Sequence, residues 1–103
     1  MKENTYLGKY AIITGASSGI GKEIAEQLAH KGMNLVLVAR RMDRLETLKE
    51  KLEQEAKINV VIKSLDLSVQ ENCQRLFEET KAFAPAIVVN NAGFGIVGFF
   101  ENL

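Results

Sequence analysis

Thr14-Gly15-Ala16-Ser17-Ser18-Gly19-Ile20-Gly21 follows the apolar run Tyr10-Ala11-Ile12-Ile13 and opens an amphipathic helical pattern. A strand, a glycine-rich turn and a helix start, in that order, make a cradle for phosphate. Glycine permits a sharp turn and lets a ligand approach the backbone with no Cβ in the way. The free N–H groups of the helix start face the anion, with the helix dipole behind them. The stretch therefore points to nucleotide binding.

Its spacing narrows the choice of loop. A P-loop needs G-x-x-x-x-G-K-[S/T], but Ala16 stands five positions before Gly21, and Glu23, with no hydroxyl for magnesium, follows Lys22. The common dinucleotide fingerprint G-x-G-x-x-G also fails, because Gly15, Gly19 and Gly21 read G-x-x-x-G-x-G. A glycine turn without ligand is the bland alternative, and the flanking strand and helix weigh against it.

Outward from the loop, strands and helices alternate. Strand one covers about Lys9 to Thr14. The first helix runs from near Gly19 to Lys31, with Ile20, Ile24 and Leu28 a turn apart and Gly32 as its stop. Strand two, Asn34 to Ala39, is apolar without alternation, as expected of a strand covered on both faces. The second helix starts near Asp43, with Asp43 and Glu46 spaced as a capping pair and Met42, Leu45, Leu48 and Leu52 inward. Glu53 and Lys57 suit its solvated face. Strand three spans Asn59 to Leu65. Ser68 and Glu71 form a capping box for a third helix that turns Val69, Cys73, Leu76 and Phe77 inward and ends before Pro85. Strand four is Ala86 to Asn90. The alternation implies an α/β fold with a parallel sheet and right-handed crossovers.

Composition bounds the rest. The 103 residues suffice for one small domain, with 47% apolar and 25% charged residues. Thirteen basic and thirteen acidic side chains leave no net charge to suggest nucleic acid or an anionic membrane. The start Met1-Lys2-Glu3-Asn4-Thr5 lacks the pattern of a signal peptide, and no apolar run nears the ~18 residues of a membrane span, so a cytoplasmic chain is expected. Cys73 is the only cysteine and His30 the only histidine. The first reads as a packed, inert thiol and the second as a surface residue at a helix end, so no metal site is expected.

T-G-x-x-x-G-I-G resembles the cofactor loop of the short-chain dehydrogenase/reductase family. Asp66 after strand three, Asn90-Asn91-Ala92-Gly93 at the end of strand four, and Arg40-Arg41 after strand two match further family features in order, from Gly8 to about Phe100. The resemblance implies a Rossmann-type three-layer α/β sheet of strand order 3-2-1-4, with residues 1–103 forming a partial dinucleotide-binding domain truncated after the fourth strand. It implies cofactor contacts from Gly15, Ser17, Ser18, Gly19, Ile20, Gly21, Arg40, Arg41, Asp66, Leu67, Asn90, Ala92 and Gly93. Asp66 would meet the adenine, or else shape the helix start. Thr14 would brace the turn, and Asn90 would chiefly steady the sheet.

The charge after strand two can be read on its own terms. An acid there accepts hydrogen bonds from a free ribose 2′-hydroxyl and repels a 2′-phosphate. Positions 39, 40 and 41 hold no acid and offer two guanidinium groups that match a phosphate, so NADP(H) is favoured over NAD(H). At least one arginine, Arg40 first, is expected to hold the phosphate. The other reading leaves one of them facing solvent or paired to a nearby acid.

Family members exchange hydride between nicotinamide and a carbonyl or alcohol, using a tyrosine whose pKa is lowered by a lysine four residues later. Tyr6 and Tyr10 are followed at that spacing by Tyr10 and Thr14, and neither gives Y-x-x-x-K. No catalytic residue of the family is found, and these residues are expected to be inactive alone. The resemblance makes this the cofactor-binding half of an NADP(H)-dependent oxidoreductase acting on a small carbonyl or alcohol. The alternatives are a non-enzymatic nucleotide-binding module, a degenerate remnant, or a structural domain without ligand. An uncovered fourth strand, rich in buried-type residues, is expected to drive self-association.

Overall fold

The structure is a computed structural model in which residues 7–17 and 19–91 are described. Eight elements follow one another: β1 (Tyr10–Thr14), α1 (Gly19–His30), β2 (Asn34–Ala39), α2 (Met42–Ala56), β3 (Val60–Ser64), α3 (Gln70–Thr80), a 3-10 turn (Lys81–Phe83) and β4 (Ile87–Asn90). The four strands form one parallel sheet of order β3-β2-β1-β4. This is the expected Rossmann-type arrangement, with the chain leaving the middle of the sheet to build one side and then crossing to the other.

The period-two alternation of the strands divides the core into two clusters. Ala11, Ile13, Leu35, Leu37 and Val60 face one way, against Ala25 and Ala29 of α1 and Leu45, Leu48 and Leu52 of α2. Ile12, Val36 and Val38 face the other way, against Leu65, Leu67, and Cys73 and Leu76 of α3. Two helices therefore cover one face and one covers the other. Strands buried on both faces have no polar side to show, hence the unbroken apolar run of β2.

Several local readings are corrected. Ile20 does not lie on the inner stripe of α1: it is 68% exposed, and the buried positions are Gly21, Ala25 and Ala29. Small residues let the helix backbone lie close to the sheet, while Ile24 and Leu28 pack along the flank. Met42 and Val69 are also exposed, because each stands where its helix begins, before the first turn reaches the sheet. Neither proposed capping pair forms. Arg41 takes the N-cap position of α2 without a side-chain cap, and Asp43 pairs with Arg41 instead. Val69 takes the N-cap of α3, and the Ser68 hydroxyl donates to Asp66. Lys57, at the left-handed C-cap of α2, is exposed as expected of the solvated face, whereas Glu53 is half-buried and its carboxylate accepts the Val60 N–H.

Cys73 is buried, and its thiol donates to the Leu67 carbonyl 3.2 Å away. Desolvation pushes its pKa up, which disfavours the reactive thiolate. His30 ends α1 at the surface, 3.6 Å from Glu55. Tyr10 is the first residue of β1, and its ring rests on Phe83 with centroids 4.6 Å apart. Among the described residues no group of histidine, cysteine or acidic side chains could hold a metal ion, and no helix is long and apolar enough to cross a membrane.

Ion pairs fasten the outer layers. Lys51 on α2 donates to Glu26 on α1. Lys63, on the outer strand β3, lies 2.8 Å from Glu79 of α3, which also accepts from Arg75 at 2.7 Å. Hydrogen bonds from Lys63 and Arg75 hold the Glu79 carboxyl below its ordinary pKa. A depressed native pKa contributes stability above the unfolded value, and that contribution is lost as pH falls through the native one. Denaturant midpoints should therefore fall less steeply with acidification in Glu79→Gln than in the unaltered chain, and parallel profiles would show that the triad adds nothing.

Candidate functional site

At the carboxyl ends of the strands, the chain leaves β1 through Gly15, Ala16 and Ser17 and enters α1. Gly15 and Gly19 hold φ of +64° and +60°, the left-handed region that a Cβ disfavours. The loop is tied back to the sheet by the Ala16 N–H, which donates to the Val38 carbonyl at 3.2 Å. Gly21 serves a different purpose. A Cβ built there would overlap the Gly15 carbonyl oxygen and come within 2.8 Å of Asn91 Nδ2. That amide already donates to the same Gly15 carbonyl at 3.2 Å. Glycine at 21 lets the helix seat on the loop, and Asn91, just past β4, closes the arrangement from the other side.

Thr14 is fully buried, and its hydroxyl lies 3.3 Å from both the Val89 carbonyl and Asn90 Oδ1, bracing β1 against β4. Asn90 thus faces the sheet interior rather than the open end.

Beside the loop lies a cleft of about 480 Å³. Six of the residues expected from the sequence line it together: Gly15, Ser17, Arg40, Arg41, Asp66 and Leu67. Val38, Ala39, Arg44, Leu65, Ser68 and Asn91 complete the wall and were not among the expected contacts. Asn91 belonged to the Asn90-Asn91-Ala92-Gly93 motif, where its neighbours were preferred. Arg44 is the third residue of α2, in the first turn after the loop that follows β2, and its one sequence signal is a cation close behind Arg40 and Arg41. Gly19, Ile20, Gly21 and Asn90 do not line the cleft, although Gly19 and Ile20 begin α1 at its mouth. Ser18, Ala92 and Gly93 lie outside the described residues.

Two loops form the cleft floor, one after β2 and one after β3, and they are joined. The Leu65 N–H donates to the Ala39 carbonyl at 3.1 Å, and the Ser64 hydroxyl donates to the Arg40 carbonyl at 3.1 Å. Asp66 Oδ1 accepts the Ser68 hydroxyl at 2.6 Å and the Ser68 N–H at 3.0 Å. These bonds hold the carboxyl ionised below its ordinary pKa, with a smaller pull from the Arg40 charge. Oδ2 keeps no hydrogen bond among the described residues and is open to a donor. Leu67 is core: its side chain packs in the cluster under α3 while the residue borders the cleft.

The arginines after β2 differ. Arg41 donates from Nε to Asp43 Oδ1 at 3.2 Å and from Nη2 to Oδ2 at 3.0 Å. The pair raises the Arg41 pKa and lowers that of Asp43. Arg40 forms no ion pair among the described residues.

With this geometry in view, comparison with known proteins is direct. The profile of the short chain dehydrogenase family matches residues 9–103. The chain belongs to that family. It is 43% identical over 88 residues to a very-long-chain 3-oxoacyl-CoA reductase of Kluyveromyces lactis, covering 84% of this chain and 25% of the relative. It is 46% identical over 96 residues to an 11-beta-hydroxysteroid dehydrogenase of Pinus massoniana, covering 91% of this chain and 27% of the relative. The crystal structure of L-sorbose reductase from Gluconobacter frateurii, complexed with NADPH and L-sorbose, superposes with a TM-score of 0.78 at 40% identity, covering 86% of this chain and 35% of that one. The chain thus spans about a quarter of the length of these curated relatives.

The two glycines should respond differently to alanine. Gly19→Ala meets open space and should cost only the left-handed backbone term, about 1–2 kcal/mol. Gly21→Ala must displace a backbone oxygen and should cost more, about 3 kcal/mol. Denaturant unfolding of both variants checks the order, and a cheaper Gly21→Ala would refute the seating of α1 on Gly15.

Proposed function

We propose that this chain holds NADP(H) as the cofactor-binding part of an oxidoreductase that exchanges hydride with a carbonyl or alcohol carbon. The carrying observation is the cleft beyond β2, which presents Arg40 with no ion pair among the described residues and has no acid at positions 39, 40 or 41. A dianionic 2′-phosphate would be attracted there, and a bare ribose would find no carboxylate directly after β2 to accept its hydroxyls.

The remaining residues fit the rest of a dinucleotide. Gly15, Ser17 and the start of α1 at Gly19 and Ile20 would receive the pyrophosphate, through unobstructed backbone N–H groups and the helix dipole. Asp66 Oδ2 would accept a hydrogen bond from the adenine amino group, since Oδ1 is occupied by Ser68. Leu67 and Asn91, which line the cleft, would border the adenosine. Bound nicotinamide would supply the hydride chemistry. Binding of NADPH by L-sorbose reductase, at 40% identity, supports the same ligand class here.

These 103 residues contain no Y-x-x-x-K, and Tyr10 is stacked on Phe83. A phenol with a pKa of ~10 is a poor base at neutral pH without an adjacent cation. We therefore infer cofactor binding without turnover for this chain alone, with the carbonyl or alcohol substrate a property of a longer protein in the cytoplasm. β4 pairs only with β1 among the described residues, and such an edge supports homo-oligomerisation. Sedimentation velocity should reveal a concentration-dependent dimer, and a monomer at all concentrations would exclude it.

Arg40→Asp tests the cofactor reading. NADPH should bind at least about tenfold more weakly, with NADH unchanged or improved, by calorimetry or nicotinamide fluorescence. Equal losses for both cofactors would overturn it.

A further inference from the structure

Arg40, Arg41 and Arg44 all line the cleft, but they are not equally available to an anion. Arg41 is held at two points by Asp43, with Nε–Oδ1 at 3.2 Å and Nη2–Oδ2 at 3.0 Å. That geometry is the one a phosphate would need, and a carboxylate has taken it. The pair carries no net charge, so while it is closed Arg41 offers an incoming phosphate little attraction; because both side chains are exposed the pair is weak, and Asp43 lowers Arg41's contribution rather than abolishing it.

Arg44 stands one helical turn further along α2. Its side chain forms no ion pair or hydrogen bond among the described residues. It also lines a second hollow of about 370 Å³, toward α1, together with Ser17, Lys22 and Lys51. Ser17 and Arg44 are the two residues common to both hollows. Arg44 therefore sits where the cleft beyond β2 meets the glycine loop. Of the two lysines behind it, Lys51 is engaged by Glu26, while Lys22 forms no ion pair among the described residues.

We propose that Arg44 is a specificity-determining residue that joins Arg40 around the cofactor 2′-phosphate, with Ser17 at its edge, while Asp43 withholds Arg41 from that anion. This rests on the NADP(H) reading above and deepens it. Asp43 becomes a brake on affinity: removing its charge frees Arg41 and removes a repelling carboxylate in one change.

The test uses the whole 103-residue chain and two probes that differ at the 2′-phosphate, 2′,5′-ADP and 5′-AMP, titrated by calorimetry with circular dichroism confirming the fold. The unaltered chain should prefer 2′,5′-ADP. Arg44→Gln should weaken 2′,5′-ADP about tenfold and leave 5′-AMP unchanged, with a shallower salt dependence for 2′,5′-ADP. The double variant Arg41→Gln/Asp43→Asn, which removes both charges of the pair, should change 2′,5′-ADP by less than about threefold, and Asp43→Asn alone should tighten it. If Arg44→Gln leaves 2′,5′-ADP binding intact, or the Arg41→Gln/Asp43→Asn double variant costs as much, or Asp43→Asn weakens it, the assignment is wrong while the NADP(H) reading stands. If the unaltered chain does not distinguish the two probes, the NADP(H) reading fails and the assignment falls with it.

Discussion

The Gly15 carbonyl oxygen is the point at which sheet, loop and first helix meet. Gly21 presses on it from α1 with no side chain between, and the Asn91 amide donates to it from beyond β4. Everything that gives the cleft its shape depends on this close approach. The loop can stand at the carboxyl end of β1 only because α1 starts so near the sheet. The small-residue stripe Gly21, Ala25 and Ala29 then carries that proximity along the helix.

Around this point, local electrostatics decide what the cleft can receive. Although the chain is neutral as a whole, charge is distributed unevenly at its strand ends. Asp66 is anchored by Ser68 and keeps one oxygen outward. Arg41 is neutralised by Asp43, whereas Arg40 and Arg44 retain their charge toward solvent. The net result is a cleft with arginines on the wall beyond β2 and a carboxylate on the wall beyond β3. The polarity is built from pairings across one to three residues, too short in range to register in overall composition.

The sheet was legible because strands covered on both faces must be apolar throughout, and the glycine loop because its spacing admits few backbone paths. The strand order followed from the family resemblance, and the pairing registers bear it out. What escaped was the competition among short-range partners. Ser68 and Glu71 carry the pattern of a capping box, yet the nearer Asp66 takes the Ser68 hydroxyl. Asp43 has the spacing of a cap and an arginine two residues before it, and the ion pair prevails. Ile20, Ile24 and Leu28 mark the apolar side of α1, but side-chain size displaces the contact line onto the glycine and alanines beside them. Arg44 was overlooked because its position in the cleft depends on how α2 is oriented after β2, which no local pattern encodes.

The bond from Asn91 to Gly15 spans 76 residues of chain. β1, β2 and β3, together with α1 and α2, can assemble from contacts much closer in sequence, whereas this closure waits on the docking of β4. The glycine loop, although written within eight consecutive residues, is consequently completed by a residue far along the chain. The geometry of the glycine loop is therefore not a local property: the Gly15 carbonyl has its Asn91 donor only once β4 lies against β1.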